Sequence, residues 1–377
     1  MTLELLLVVA FWALIAVWPV TYVGYPLTLL TIARWRAPRK LTADLAWPTV
    51  AILVPAHNEE ATIERCVRSS LAQDYPGDPP SVIVGLDGCT DRTEAILRGI
   101  TDPRLRFESY PRQGKAATDN ALMAGCAAEV VLLTSAGAEY EPGTLVALAS
   151  VFRAPQVGCA GGRFAPRRTG EASVAAEASY FSFEYRLMLA EAKLGILAKA
   201  SGTALAFRRS LWQPIRVTSD ADVTLPFLAV LKGYSVAFVP GAVVYDDGPQ
   251  NLRIAFRARR RMGRLMFSTV DHVVDLARAG AYGPAASLTF HKLLRWAAPW
   301  AAIGCAIDAV ALGALGQWDY AWLFLVIAVG ALLTLVAVSV LRGNRLSIVA
   351  GFLVSQLAFI VAGLDFVSGS RVTRWER

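Results

Sequence analysis

The sequence predicts an α/β domain with a largely parallel sheet, joined to membrane-spanning helices at both ends of the chain. Two observations predict it: long apolar runs near both termini, and alternating strands and helices between them. Of 377 residues, 55% are apolar and 18% charged, against roughly 45–50% and 25% in soluble domains. The mean hydropathy is +0.44. These values exclude a disordered, collagen-like or disulfide-scaffold protein and argue against an ordinary cytosolic enzyme.

Four apolar runs are long enough to cross a bilayer, which requires about 20 residues in a helix. They cover residues 5–33, 296–318, 320–341 and 346–364. The first run lacks a basic leader and is too long for a cleaved signal peptide, so an uncleaved anchor is expected. Its Pro19 and Pro26 predict a kinked or broken helix, with one span or one span plus an interfacial segment.

The formal charge of +7 is concentrated beside the apolar runs. Arg34, Arg36, Arg39 and Lys40 follow the first run, which places the middle of the chain in the cytoplasm by the positive-inside rule. The basic loop 342–345 agrees, whereas the arginines of the tail (371, 374 and 377) agree only if the last run is not a full span. A hydrophobic span lies close to the six arginines of residues 253–264, so lipid rather than nucleic acid is their expected partner.

Strands, loops and helices alternate from residue 49 onward. Strands are predicted at 49–55, 81–86, 105–109 and 129–134. A helix capped by Asn58 is predicted after the first strand, and two further helices are predicted at 93–99 and 116–124. This order predicts a parallel sheet, with ligands at the carboxyl ends of its strands.

Three polar motifs follow these strands: PAHNEE (55–60), LDGCTD (86–91) and RQGKAATDN (112–120). Taken singly, they also suit a helix cap, a turn and a solvated loop. Their order suits a nucleotide-sugar pocket, because a nucleobase and a ribose need hydrogen-bond acceptors and a diphosphate needs cations. The five cysteines form no CxxC pair, so no zinc site is predicted.

Later segments continue the pattern: TSAGAEYEPGTL (134–145), SDADVTLPFLAVLKGYSVAFVP (219–240), RARRRMGR (257–264) and HKLLRWAAPW (291–300). In this order the motifs resemble the membrane-bound family 2 glycosyltransferases, which act on polysaccharides or lipids. The resemblance covers residues 49–300 and implies a GT-A fold, a nucleotide-sugar-binding domain with a mostly parallel sheet.

The resemblance also implies roles for individual residues. Glu59 and Asp87 would hold the ribose and uracil of a UDP-sugar, within a motif that includes Pro55 and His57. Lys115 would lie near the base or the diphosphate, where Gly114 lets the backbone approach closely.

The metal motif departs from the family. Where the family has a DxD or Asp-Ala-Asn triplet, this chain has Ser135, Ala136 and Gly137, although Mg²⁺ and Mn²⁺ favour carboxylate oxygens. Three explanations stay open. Glu139 substitutes as the metal ligand, cations such as Lys115 or the arginine segment neutralise the diphosphate, or activity has been lost. Ser135 remains in the predicted nucleotide-sugar site.

An inverting transfer needs a general base for the acceptor hydroxyl. Alignment with the family on the Leu-Pro pair at 225–226 gives Asp222 this role, with Asp220 as the alternative, although an Asp there also suits a helix cap. Arg260 and Arg261, in the region resembling the family's QxxRW motif, are the predicted diphosphate contacts. The Gln and Trp of that motif are absent, which argues against a self-contained polymer channel.

The sequence therefore predicts an inverting glycosyltransferase of the inner (plasma) membrane. It would move a sugar from a UDP-sugar to a lipid-linked or polysaccharide acceptor at the cytoplasmic face, alone or with a partner subunit that supplies a pore. The alternative is a catalytically silent homologue that binds nucleotide or scaffolds a polysaccharide-synthesis complex. The expected segments are an anchor and basic linker (1–40), the catalytic domain (41–250), basic interfacial helices (251–292) and about three spans (293–377).

Overall fold

An eight-stranded sheet forms the centre of the fold. The computed structural model describes residues 2–37, 45–167, 172–215, 221–247, 251–264, 266–341 and 347–368. The strands are β1 (Val50–Ala56), β2 (Ser81–Asp87), β3 (Leu105–Tyr110), β4 (Val130–Leu133), β5 (Glu139–Tyr140), β6 (Val157–Pro166), β7 (Leu205–Arg208) and β8 (Ser235–Asp246).

Six of these strands run in one direction. The order across the sheet is β3-β2-β1-β4-β7-β6-β8-β5. The pairs β1–β2, β1–β4, β2–β3 and β6–β8 are parallel, and β7 and β5 are antiparallel to their neighbours. The predicted, mostly parallel α/β sheet is therefore confirmed.

Helices cover the sheet and extend beyond it. They are α1 (Leu3–Pro19), α2 (Tyr25–Trp35), α3 (Ile63–Leu71), α4 (Thr93–Arg98), α5 (Lys115–Ala124), α6 (Thr144–Ser150), α7 (Ala172–Leu194), α8 (Ala221–Leu231), α9 (Leu252–Arg264), α10 (Met266–Arg278), α11 (Tyr282–Leu288), α12 (Leu294–Ala314), α13 (Trp318–Leu341) and α14 (Ser347–Val367).

Strand β1 shows why the sheet is buried on both faces. Its alternate residues Val50, Ile52 and Val54 join a core with α3, α4 and α6, whereas Ala51 and Leu53 join a core with α5, α7 and α8. A strand buried on both sides reads as a continuous apolar run, which is why the sequence signal there is clear.

The prediction that Asn58 caps the helix after β1 is wrong, because α3 begins five residues later, at Ile63. Asn58 instead has a φ of 55°, a left-handed conformation that Asn tolerates better than most residues. Its side-chain oxygen accepts a hydrogen bond from the Thr90 backbone N–H at 2.8 Å. It therefore joins the loops that follow β1 and β2.

Four helical segments are long and apolar enough to cross a membrane: Leu3–Trp35, Tyr282–Ala314, Trp318–Leu341 and Val349–Val367. The first is continuous, with a π-helical turn over Val20–Gly24 between the two prolines. Large apolar side chains face outward from these segments, including Val326 and Leu333. The basic residues Arg39 and Lys40, the loop 342–345 and the tail arginines lie outside the described residues.

Candidate functional site

The parallel strands bring the polar motifs to one edge of the sheet. Because β1, β2, β4, β6 and β8 run in the same direction, their carboxyl ends meet there, and antiparallel β5 begins there with Glu139. The residues that follow or close these strands share the edge: His57, Asp87, Ser135 and Asp246. The sequence did not single out Asp246.

Asp87 is fully buried and holds the loop that leads into α5. Its carboxylate accepts hydrogen bonds from the backbone N–H groups of Gln113 at 2.6 Å and Gly114 at 3.1 Å, and it pairs with the Arg112 guanidinium. Gly114 has a φ of 92°, where a side chain would be strained. Asp87 and Gly114 together fix the amino end of α5 at the sheet edge.

His57 and Glu59 lie on the adjoining loop. His57 Nδ1 donates to the Asp87 backbone carbonyl at 2.7 Å, since a carbonyl only accepts. Glu59 is buried, its backbone N–H donates to Thr93 Oγ1 at 2.8 Å, and its carboxylate accepts from Thr62 at 2.9 Å. Pro55 is buried within β1. The structure thus joins the first two predicted motifs through backbone and side-chain hydrogen bonds.

Two residues of the third motif have different partners. Lys115 begins α5, and its Nζ lies 2.7 Å from the carboxylate of buried Asp119. Asn120, which the sequence analysis did not propose as a site residue, holds both backbone groups of Ile215: it donates to the carbonyl at 3.0 Å and accepts from the N–H at 2.9 Å. Asn120 therefore fixes the chain just ahead of residues 216–220, which lie outside the described residues and include Asp220.

Asp222 lies in the first turn of α8, beside the loop that precedes β7. The Ala200 N–H donates to the Asp222 carbonyl at 2.9 Å, and a Cβ atom at Gly202 would stand 3.6 Å from the Asp222 side chain. Thr134, at the end of β4, donates to the Thr203 carbonyl of the same loop at 3.0 Å. One loop therefore connects the predicted base with the edge of the sheet.

The degenerate triplet lies against Asp246. Ser135 Oγ donates to Asp246 Oδ2 at 2.5 Å, and a Cβ atom at Gly137 would overlap Asp246 Oδ1. Burial raises the pKa of Asp246 above its ordinary value. A carboxylate from β8 thus occupies the space beside the triplet.

Glu139, the predicted metal ligand, is already engaged by two arginines. Its carboxylate lies 3.2 Å from Arg167 and 3.5 Å from Arg65. No group of three or more His, Cys, Asp or Glu side chains among the described residues is arranged to hold a metal ion. The chemistry of the donors at the triplet nevertheless fits a hard cation, since Asp246 and Ser135 offer adjacent oxygen atoms.

The predicted diphosphate arginines lie on α9, which packs against α14. Arg260 forms a bidentate pair with Asp365, with both N–O distances 2.6 Å, and Arg264 joins it at 2.8 Å. Arg261 is exposed. Asp365 therefore fastens this basic helix to the last span, and a diphosphate role for Arg260 and Arg261 stays a prediction.

A buried group of charged side chains joins α7 and the loop before β7 to two of the helical segments that are long and apolar enough to cross a membrane. We call it the interhelix charge cluster; it comprises Tyr25, Glu184, Glu191, Lys199, His291 and Arg295. Each is buried or partly buried, and they come from α2, α7, the loop before β7, the π-helical turn Thr289–Leu293 and α12. The His291 side chain is fully buried within this cluster.

Glu184 and Glu191 are the centres of this cluster. Glu184 pairs with Lys199 and, at 2.8 Å, with Arg295. Glu191 accepts from His291 at 2.7 Å and from Tyr25 at 2.5 Å. Burial opposes ionisation of Glu184, but the basic groups around it hold its pKa well below the ordinary value. Burial lowers the pKa of Lys199 to about 8. The ion pair with Glu184 opposes this lowering of the Lys199 pKa.

Comparisons with known proteins agree with this arrangement. The family model "Glycosyltransferase like family 2" matches residues 48–264, more than half of the chain. An N-acetylglucosaminyltransferase of Azorhizobium caulinodans is 26% identical over 239 residues, 58% of this chain and 59% of its own. The beta-monoglucosyldiacylglycerol synthase of Synechocystis is 32% identical over 140 residues, 35% of this chain and 29% of its own. The chain spans 57–59% of the length of the first three curated relatives that it matches.

Among solved structures, the mannosyltransferase PcManGT from Pyrobaculum calidifontis, in complex with GDP-Man and Mn²⁺, has a TM-score of 0.68 and 22% identity. The match covers 96% of this chain and 100% of that one. This likeness establishes the GT-A-like fold. The chain belongs to glycosyltransferase family 2.

Proposed function

We propose that the chain transfers a sugar, with inversion, from a UDP-sugar to a lipid or lipid-linked acceptor at the cytoplasmic face of the inner membrane. The position of Asp222 carries this proposal. The Asp222 side chain lies beside Gly202. Gly202 belongs to a loop that is held at the sheet edge by the hydrogen bond from Thr134 to the Thr203 carbonyl. The same loop begins at Lys199, within the interhelix charge cluster. Asp222, as the proposed base, would then act between the nucleotide-sugar edge and the membrane helices.

The nucleotide would lie on the loops after β1 and β2. Asp87 orders the loop at 112–114 through backbone hydrogen bonds, and the amino end of α5 offers N–H groups that favour an anion. Lys115 adds a positive charge there, tethered by Asp119. These residues would bind the nucleotide and orient its diphosphate toward the triplet at 135–137.

In the transfer step, Asp222 would take the proton of the acceptor hydroxyl. The acceptor oxygen then forms a bond to C1 of the sugar from the side opposite the diphosphate, while the bond from C1 to the diphosphate oxygen breaks and UDP leaves. A divalent cation, when bound, would neutralise charge that builds on the diphosphate. Ser135 of the triplet offers a hydroxyl for such a cation, and Asp246 and Glu139 offer carboxylates beside it.

A lipid acceptor is supported by the membrane helices and by the glucosyldiacylglycerol synthase among the relatives. Arg34 and Arg36 at the end of the first span support a cytoplasmic catalytic domain. We retain the four segments expected from the sequence, with boundaries at 40, 250 and 292, as the proposed domain organisation.

The test uses purified full-length protein in lipid nanodiscs. UDP-glucose, UDP-N-acetylglucosamine and GDP-mannose would each be supplied with bilayer lipid and Mn²⁺, and release of UDP or GDP would be measured. We expect release from a UDP-sugar, its loss in Asp222→Asn, and unchanged UDP binding by that variant. Asp74→Asn is the matched control, because Asp74 is exposed outside the site.

Three outcomes would contradict the proposal or a part of it. Binding of UDP without turnover of any donor would favour a silent, nucleotide-binding homologue. Turnover by Asp222→Asn at the rate of Asp74→Asn would remove Asp222 as the base. Release of GDP alone would replace the proposed UDP-sugar with a GDP-sugar.

A further inference from the structure

The two positions that lack an acid in the strand-end triplet both face the carboxylate of Asp246. Ser135 donates to one of its oxygens at 2.5 Å, and a side chain at Gly137 would overlap the other. An aspartate cannot fit at 137 while Asp246 holds its present position. The carboxylate has therefore not simply disappeared from this place: another strand supplies it.

Sheet topology explains how β8 can supply it. Asp246 is the last residue of β8 and pairs in register with Pro166 at the end of β6. Both strands run parallel to β4, so their carboxyl ends share an edge with Ser135. A residue 111 positions away in the chain is thereby brought into hydrogen-bond contact with the triplet.

The neighbouring charges distinguish Asp246 from Glu139 and Asp247, the two acids near it beside the triplet. Glu139 pairs with Arg65 and Arg167, and Asp247 lies 3.2 Å from Arg167 and 3.9 Å from Arg65. Asp246 accepts instead from two neutral donors, the Ser135 hydroxyl and, at 2.8 Å, the Asp247 backbone N–H.

Charge balance follows from these contacts. Among the residues that the structure describes beside the triplet, three carboxylates face two guanidinium groups, so one negative charge is left over. A site that neutralised a diphosphate by its arginines alone would need an excess of positive charge. The surplus carboxylate instead favours recruitment of a cation, whose preferred ligands are oxygens with at least one carboxylate.

We propose that Asp246 is the carboxylate that binds the divalent cation of the nucleotide diphosphate, with Ser135 orienting it. Glu139 instead forms ion pairs with its two arginines and is not the metal ligand. This inference rests on the proposed function, because the cation acts on a bound nucleotide diphosphate. It replaces the three explanations drawn from the sequence: that Glu139 is the metal ligand, that cationic side chains alone neutralise the diphosphate, and that activity has been lost.

The test measures Mn²⁺ binding directly. Full-length protein in nanodiscs with saturating UDP would be titrated with Mn²⁺, and free Mn²⁺ would be followed by its electron paramagnetic resonance signal. Asp246→Asn is expected to raise the Mn²⁺ Kd about tenfold or more, since loss of a ligand removes at least this much affinity. Glu139→Gln, the matched control at the same edge, is expected to change the Kd less than about threefold.

A second pair of variants tests whether a carboxylate at position 137 can replace that of Asp246 in binding Mn²⁺. Gly137→Asp alone is expected to weaken Mn²⁺ binding, because its side chain overlaps Asp246. Combined with Asp246→Ala, which empties that space, Gly137→Asp is expected to restore Mn²⁺ binding relative to Asp246→Ala alone. UDP binding without metal reports folding of every variant.

The outcomes separate this inference from the proposed function. If wild-type protein binds UDP and Asp246→Asn binds Mn²⁺ as tightly as wild type, the inference is overturned and the proposed function stands. The same holds if Glu139→Gln loses Mn²⁺ binding while Asp246→Asn keeps it. If wild-type protein binds no UDP with or without Mn²⁺, the proposed function fails, and this inference fails with it.

Discussion

Removal of the Glu184 carboxylate should destabilise the whole protein, although Glu184 lies far along the chain from the membrane helices that it contacts. Glu184 pairs with Lys199 from the catalytic domain and with Arg295 from α12. The variant Glu184→Gln keeps the size of the side chain and removes its charge. Two buried cations then lose the carboxylate that they share.

The magnitude follows from burial. The side chains of Glu184, Lys199 and Arg295 are 7%, 3% and 11% exposed, so water cannot replace the lost partner. Removing one member of a buried ion pair costs about 3–5 kcal/mol. For 377 residues, with an unfolding entropy of about 2.1 cal/mol/K per residue, that corresponds to a fall in melting temperature of about 4–6 °C. Lys199→Met should cost less, because Arg295 still compensates Glu184.

Thermal unfolding in detergent, followed by tryptophan fluorescence, measures the effect. Glu64→Gln is the control: it breaks an exposed ion pair with Arg68, 2.9 Å long, one turn along α3. An exposed pair contributes about 0.3–0.5 kcal/mol. The double variant Glu184→Gln/Lys199→Met should be more stable than the sum of the single losses implies, by about 0.5–3 kcal/mol.

Equal shifts in Glu184→Gln and Glu64→Gln would refute the reasoning. Such a result would mean that water reaches the interhelix charge cluster and screens it as it screens a surface pair. Strict additivity of the two cluster variants would refute the assignment of Lys199 as the partner of Glu184.

Three further predictions concern other contacts. Asn120→Ala frees the backbone of Ile215 ahead of α8 and should lower kcat about 10- to 100-fold, because the proposed base is misplaced. Calorimetry should find UDP binding unchanged, and weaker UDP binding with normal kcat would contradict this prediction. Asp365→Asn removes the shared partner of two arginines in α9 and should speed amide hydrogen exchange in α9 but not in α5, and uniform protection would disprove that anchoring role. Because the pKa of Glu184 is lowered, its carboxylate contributes its full stabilisation above the ordinary pKa of 4.5, and this stabilisation is lost as the pH falls through the lowered pKa. The melting temperature of wild type should therefore fall more steeply than that of Glu184→Gln below about pH 4.5. Parallel curves for the two proteins would contradict this.

The first half of the sheet could be predicted because its strands are apolar on both faces. Strands β1 to β4 lie within one or two residues of the predicted ranges. No strand was predicted after residue 134. Strand β5 has two residues, too few for a periodic signal, and β7 has four. Strand β8 contains an exposed Pro-Gly pair at 240–241, which is typical of a turn.

The candidate site likewise contains residues that the sequence could place and residues that it could not. Asp87 and His57 follow predicted strands directly, so the sequence places them at one edge without knowledge of the sheet order. Asp246 reaches that edge only because β8 lies beside β6. The interhelix charge cluster was equally hidden, since Glu191 lies 100 or more residues from its partners Tyr25 and His291 and their pairing depends on how the membrane helices pack.

The interhelix charge cluster also constrains the order in which the chain is assembled. Glu191 takes one partner from Tyr25, synthesised 166 residues earlier, and the other from His291, synthesised 100 residues later. Glu184 cannot meet Arg295 until α12 has emerged from the ribosome and entered the membrane. The sheet can form first, but helix α7 acquires its full set of partners only at the end of synthesis. A chain that stops before α11 therefore leaves Glu184 without Arg295 and both carboxylates without His291, and Glu191 keeps only Tyr25 from the membrane helices.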